Sequence, residues 1–314
     1  MNMTKNLNDL IKLRGYNIKN EGKKDDIIIP IIKKSSIEVS ENQVKIFEKS
    51  KAIINNFREN KKVINQNDFK EISNLRLQNY KIKFKGEYIH IIDINNGYKY
   101  ATISLGNEKL KKNNPNKVFI IWNITQILTC PNATPDCKKF CYANKFPHML
   151  KLGNSNSVKS RMLNTIFSMI DNFDEVMLEV MRFVENTLVY NDKDVVFRWH
   201  ESGDIYNHIY WKKIKRIIEA NRNIKHLIYT KSIFMIKEMI NNEYTSNGTI
   251  RYSLDNSTKD FIYNKVVSSG ILTSRIIDGK EVDIVPRSHT CSSTCDKCNK
   301  CLNKKLIDIF MPIH

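Results

Sequence analysis

Long apolar runs are missing from this sequence. The longest, "IIIPII" at residues 27–32, contains a proline and falls far short of the roughly 18 residues that cross a bilayer, so no membrane-spanning helix and no membrane partner are expected. The opening residues, MNMTKNLNDLIKLRG, lack the apolar heart of a secretory leader, which makes the cytoplasm the expected compartment. Glycine (10) and proline (7) are sparse, and neither a low-complexity linker nor an internal repeat interrupts the chain. Acidic residues are outnumbered 33 to 51, leaving a net charge of +18. Such an excess fits a nucleic-acid partner, but 40 of the 51 basic residues are lysines, and Lys, Asn and Ile are abundant throughout. The excess is also spread along the chain, with residues 1–100 carrying 20 basic and 12 acidic groups. A solvated lysine surface is the competing account. With 41% apolar and 10% aromatic residues, the 314-residue chain can bury a full core.

Cysteine is the most telling scarcity. All seven lie in two short polar segments: Cys130, Cys137 and Cys141 in "TCPNATPDCKKFCYANK", and Cys291, Cys295, Cys298 and Cys301 in "HTCSSTCDKCNKC". Buried apolar cysteines would be scattered through core elements instead. In a reducing compartment, thiols clustered in this way point to metal ligands rather than disulfides.

Hydrophobic periodicity organises the rest. Residues 1–99 read as a basic N-terminal α+β extension, with a strand at "DIIIPII", an amphipathic helix near 41–58 and β-hairpin material from 80 onward around the turn signal "NNG". Residues 100–303 read as an α/β body and 304–314 as a C-terminal tail. Strands are expected at "KVFIIWNIT", "DVVFRW", "KHLIYT", "TIRYSL" and "EVDIVP", separated by helices near 156–171, 173–189, 207–220, 232–241 and 257–268. That alternation predicts parallel βαβ units and a partial or full (β/α) barrel. The chemically rich residues each follow a strand: the Cys130–Cys141 loop, "HESGD" (200–204), "TKS" (230–232), "SLD" (253–255) and "PRSHTC" (286–291). In parallel α/β proteins, sites assemble at that edge, so the two cysteine segments are expected as neighbours on one face.

The thiol spacings are C-x₆-C-x₃-C and C-x₃-C-x₂-C-x₂-C. The dense terminal run is close to ferredoxin spacing, and the first loop offers three ligands with no fourth nearby, which favours an iron–sulfur cluster, 4Fe-4S, with zinc as the alternative. Three cysteines on a cubane leave one iron open, and S-adenosylmethionine can chelate such an iron. Phe140 would then shield the cluster or lie against an adenine, ordinary loop packing being the competing account. An iron–sulfur enzyme also needs an electron donor as partner. Arg198, His200, Glu201 and Asp204 form a polar group at one strand end, with Gly203 permitting close backbone approach. Strand alternation would put Arg198 and His200 on the face opposite Trp199. Asp204 and Asn207 could equally begin the next helix. Lys231 is a candidate for binding carboxylate or phosphate, Ser253 and Asp255 share the next strand exit, and His289 is a further ligand candidate beside Cys291. His148 and His208 read as surface residues.

Together, "CPNATPDCKKFCYANK", "FRWHESGDIYNHIYWKKI", "LIYTKS" and "CSSTCDKCNKC" resemble the phage gene product 88 family over roughly residues 100–303. More distantly, the order of parts resembles radical S-adenosylmethionine enzymes. That likeness implies that Ser202, Gly203 and Asp204 bind the methionine amine and that Cys130, Cys137 and Cys141 hold the reactive cluster. The first loop departs from the usual C-x₃-C-x₂-C, whereas Cys291, Cys295 and Cys298 match it. The phage resemblance and the basic extension point to a nucleotide or nucleic acid as substrate. The alternative function is a zinc-stabilised nucleic-acid-binding or -processing protein without radical chemistry.

Overall fold

The computed structural model describes residues 72–94, 97, 99–106, 116–126, 128–141, 143, 156–241, 247–277, 287–291 and 298–312. The strand at 27–32, the helix near 41–58, the strand "EVDIVP", Tyr142, His148 and Cys295 lie outside them.

Among the described residues, one ten-stranded sheet carries the fold. Strands β1 (Tyr80–Lys85), β2 (Tyr88–Asp93) and β3 (Lys99–Ser104) form an antiparallel meander. The run from 80 to 93 breaks into two strands because Gly86 takes a φ of +58°, a left-handed turn conformation that glycine adopts without steric cost. Strands β4 (Lys117–Trp122), β5 (Asp194–Trp199), β6 (Lys225–Thr230), β7 (Gly248–Leu254) and β8 (Thr273–Ile277) follow side by side, all parallel. The short β9 (Ser288–Thr290) and β10 (Asp308–Pro312) extend the parallel part with their order reversed, so that β10 lies between β8 and β9. The expectation was a partial or full (β/α) barrel; the mostly parallel sheet runs open from β1 to β9 among the described residues, so they form no closed barrel. Residues 308–312, set apart as a tail on sequence grounds, are built into it.

The helices are α1 (Pro135–Lys139), α2 (Asn156–Met169), α3 (Phe173–Thr187), α4 (His208–Ala220), α5 (Met235–Ile240) and α6 (Asp260–Ser268). In α3, Phe173, Val176, Met177, Val180, Met181 and Val184 recur at helical spacing and are all buried, a stripe that presses onto the sheet. Asn207 caps α4 by accepting a bond from Tyr210 N at 2.8 Å, and Trp211, Ile214, Ile217 and Ile218 bury its inner face. Helices α2 to α6 contribute to one apolar core with Ile120, Trp122, Phe197, Trp199, Ile228, Ile250 and Tyr252, so they all cover the same face of the sheet. A sheet with sequential strand order and helices on one side is singly wound.

Where the antiparallel and parallel halves meet, β3 and β4 pair only at Ser104 and Ile121. Asn164 of α2 fills the gap: its amide donates to Thr102 O and Asn123 O, both at 2.8 Å, and its Oδ1 accepts from Thr102 N at 2.9 Å. The opposite face of the sheet carries a small second core of Phe119, Ile121, Val196 and Leu227, with Tyr229, Cys301 and Leu302 packed on it.

Candidate functional site

The exits of β4 to β7 are joined by side-chain bonds into one edge. After β5 the chain turns at His200, whose φ is +54°. This turn overrides strand alternation. Arg198 stays on the second-core face, 3.3 Å from Glu201 and with its guanidinium 5.6 Å from the Tyr229 ring centroid. His200 swings to the helix-covered face, where Nε2 meets Tyr210 Oη at 2.8 Å and burial pushes its pKa down to about 3. The expectation that Arg198 and His200 share a face is thus corrected. His200 Nδ1 is buried without a hydrogen-bond partner among the described residues.

The next residues are sewn to the exit of β4. Ser202 N donates to Asn123 Oδ1 at 2.8 Å, and Ser202 Oγ donates to Ile124 O at 3.0 Å. Gly203 has a φ of +85°, and a Cβ there would stand 2.3 Å from Ile124 Cγ1 and 2.6 Å from Thr129 Oγ1. Both the backbone angle and the close approach require glycine.

Asp204 begins a chain of buried polar contacts. Its Oδ1 accepts from Thr230 Oγ1 (2.7 Å) and Ile205 N (2.6 Å), and its Oδ2 from Lys231 N (2.8 Å). Burial outweighs these bonds and raises its pKa to about 6. Lys231 Nζ donates to Asp255 Oδ2 at 2.7 Å and to Ser253 O at 3.0 Å, with only 8% and 2% of the Lys231 and Asp255 side chains exposed. For Asp255, burial alone would raise the pKa, but the Lys231 charge and the hydroxyls of Thr134 and Ser257 hold it below the usual carboxylate range. Thr134 Oγ1 donates to Asp255 Oδ2 at 2.5 Å, Asp136 N donates to Ser257 Oγ at 2.9 Å, and Ile233 N donates to Asn132 Oδ1 at 3.0 Å. The first cysteine loop is therefore docked on the exits of β6 and β7. Of the residues singled out in the sequence, Asp204, Lys231, Ser253 and Asp255 come together here, and Ser202 and Gly203 serve the neighbouring β4–β5 junction. Phe140 sits just past α1 with the Lys139 ammonium 5.0 Å from its ring centroid.

The described cysteines form no disulfide and are half-buried. Burial pushes the Cys137 thiol up to about 11 despite nearby Lys231. Cys291 leaves β9 with its N–H bonded to Phe310 O at 2.7 Å. Strand pairing sets Thr290, Phe310, Arg275 and Leu254 at one level, so Cys291 and Asp255 each stand one residue beyond it, at the same edge. From there the segment returns across the second-core face. Cys298 Sγ lies 3.9 Å from His289 Nε2, its carbonyl lies 3.4 Å from Lys117 Nζ at the start of β4, and Cys301 packs beside Tyr229. Burial raises the Cys301 pKa, the Tyr229 hydroxyl opposes it, and Cys291 and Cys298 act on it electrostatically.

The fit of these thiols to a metal differs between the two segments. Among the described residues, no three His, Cys, Asp or Glu side chains converge as ligands. Cys130, Cys137 and Cys141 are all described, so the first loop as folded does not form a three-thiolate set. In the second segment His289 Nε2 approaches Cys298 Sγ at 3.9 Å, but among the described residues no third ligand joins this pair, and Cys295 lies outside them.

Sequence reasoning missed Arg251 of β7, a fully buried guanidinium that holds this segment. It donates to Cys301 O and Asn303 O at 2.9 Å, to Leu306 O at 3.1 Å, and to Ile307 O and Thr273 O at 3.2 Å. The signal was an arginine inside the apolar strand "TIRYSL".

The model of the family described as Gene product 88 matches residues 101–304, well over half of the chain. The chain belongs to the Gene product 88 family. No curated protein and no solved structure matches it. The matched span includes both cysteine segments, the 200–204 turn and the Lys231–Asp255 pair.

Proposed function

We propose that this Gene product 88 protein binds a soft metal through the segment from His289 to Cys301 and presents the edge beside it, built on Asp204, Lys231 and Asp255, to its substrate. The supporting observation is the approach of His289 Nε2 to Cys298 Sγ at 3.9 Å. Bound metal would fasten this segment to the second-core face, so that metal affinity and folding are linked. Four thiols in the segment suit an iron–sulfur cluster, whereas the mixed nitrogen and sulfur set that includes His289 favours zinc. The dispersed thiols of the first loop lend no geometric support to chemistry on S-adenosylmethionine, and no reaction step is assigned to it. Anaerobic purification of the full chain, with iron, sulfide and zinc analysis, tests the reading. A near-stoichiometric centre retained in Cys130→Ser and lost in the Cys298→Ser/Cys301→Ser double variant is the expected result. Absence of any metal, or a centre untouched by that double variant, overturns it. Iron with sulfide and broad visible absorption identifies a cluster, and colourless zinc identifies the alternative.

A further inference from the structure

The antiparallel meander carries a surface that neither the family match nor the metal reading uses. In β1 the pattern alternates: Tyr80, Ile82 and Phe84 are half-buried against the helix-covered core, and Lys81, Lys83 and Lys85 are exposed on the other face. The pairing of Lys83 with His90, Lys85 with Tyr88, Tyr88 with Ser104 and Ser104 with Ile121 puts all these residues on one side. It is the side that also bears Ile121 and, further along, the Cys301 segment.

Three features set this face apart. Its lysines recur every second residue on one straight strand, about 7 Å apart by strand geometry, close to the separation of neighbouring phosphates along an extended polynucleotide. None of the three makes an ion pair with a described residue. Beside them Tyr88 is 44% exposed, its ring nearly parallel to and offset from that of His90, with centroids 5.9 Å apart and planes 17° apart. His90 is held by Thr102 Oγ1 at 3.1 Å. Its pKa is pushed down to about 4 by burial, with Lys99 and Lys85 adding to the shift, so a fourth lysine also bears on the platform. The acidic group nearest in sequence is Glu87, in the β1–β2 turn, whereas Asp93 is bonded to Tyr100 at 2.5 Å.

Lysines on an edge strand discourage sheet-to-sheet association, and that alone would explain β1. It does not explain an exposed tyrosine backed by a buried imidazole on the second strand. A row of cations beside an aromatic surface on a sheet is how proteins hold single-stranded nucleic acid: cations follow the phosphates and bases stack on the ring. We infer that the outer face of the β1–β3 meander binds single-stranded nucleic acid, with Lys81, Lys83 and Lys85 along the backbone and Tyr88, stacked on His90, under a base. This site is independent of whether a metal occupies the other end of the same face.

The test is fluorescence anisotropy of the full-length protein with short labelled oligothymidylate and oligouridylate, repeated across salt concentrations, with a duplex of equal length alongside. Wild type binds the single strands in preference to the duplex. Lys81→Gln/Lys83→Gln/Lys85→Gln weakens binding and reduces the slope of log affinity against log salt by about 2, from about 0.7 per lost phosphate contact. Tyr88→Ala weakens it about fivefold or more, by loss of stacking, and leaves the slope unchanged. The control is Lys212→Gln/Lys259→Gln/Lys265→Gln, which removes equal charge from helices α4 and α6 and their flanks. Equal losses in both triple variants overturn the proposal, as do equal affinity for duplex, no effect of Tyr88→Ala, or binding to phosphatidylserine vesicles but not to oligonucleotide. Matching circular dichroism and melting curves establish that the variants are folded. Should the triple variant not fold, Lys83→Gln alone must lower the slope by about 0.7.

Discussion

At the scale of single residues, the buried histidines carry the clearest pH consequence. His226 of β6 is fully buried, accepts a bond from Trp199 Nε1 at 3.1 Å, and burial lowers its pKa to about 3. A depressed folded-state pKa means that the unfolded chain binds the proton first. The stabilisation is complete above the ordinary histidine range near 6.5 and is lost as pH falls toward 3. Asp204 acts in the opposite sense: its raised pKa, about 6, favours the folded state below the ordinary carboxylate range and loses that contribution as pH climbs through 6. His226→Gln keeps an acceptor for Trp199 and removes one titration. Urea unfolding at pH 4 to 6 should show the slope of stability against pH reduced by about 1.4 kcal/mol per pH unit. An unchanged slope would mean that His226 takes up its proton without unfolding.

At the scale of elements, the Lys231–Asp255 pair ties three strand exits and the first cysteine loop together. Removing the lysine leaves a buried carboxylate that only hydroxyl and amide donors can serve, whereas neutralising the aspartate leaves a cation that still has Ser253 O. Lys231→Met should cost about 3 kcal/mol or more in denaturant unfolding, Asp255→Asn less, and the double variant less than the sum. Additive losses would show that the two groups do not interact. The elements themselves were legible in the sequence: "DVVFRW" and "KHLIYT" coincide with β5 and β6, and α3 and α4 differ from their expected spans only at the ends. Their apolar periodicity is local, and local patterns can be read from neighbours along the chain. β8, "TSRII", was not recognised because a serine and an arginine interrupt its apolar run, and its partners, β7 and β10, are supplied by tertiary structure. The site was legible to the same extent. That Asp204, Lys231 and Asp255 lie at one edge followed from strand order. That His200 turns away from Arg198 depends on a positive φ at a non-glycine residue, which no spacing rule signals.

At the scale of the whole molecule, the decisive residue is Arg251, because it bonds carbonyls on β8 and on the segment from Cys301 to Ile307. Arg251→Met keeps the apolar stem and removes every donor. It should cost at least about 3 kcal/mol, since several buried carbonyls lose their partners together, and it should lower metal retention in the proposed centre. Hydrogen exchange would show the loss concentrated in residues 287–312, and uniform destabilisation would contradict the role given to Arg251. Fully buried arginine in a strand gave no sequence warning of what it holds, because four of its five acceptors lie 50 to 56 residues further on.

β10 also sets the order of events during synthesis. Among the described residues, Ser288–Thr290 joins the sheet only by pairing with Asp308–Pro312, a stretch that leaves the ribosome later. Until then Cys291 has no strand beside it, so its thiol meets the surrounding solution before the edge that seats it exists, whereas Cys301 can already settle on β6 and β7.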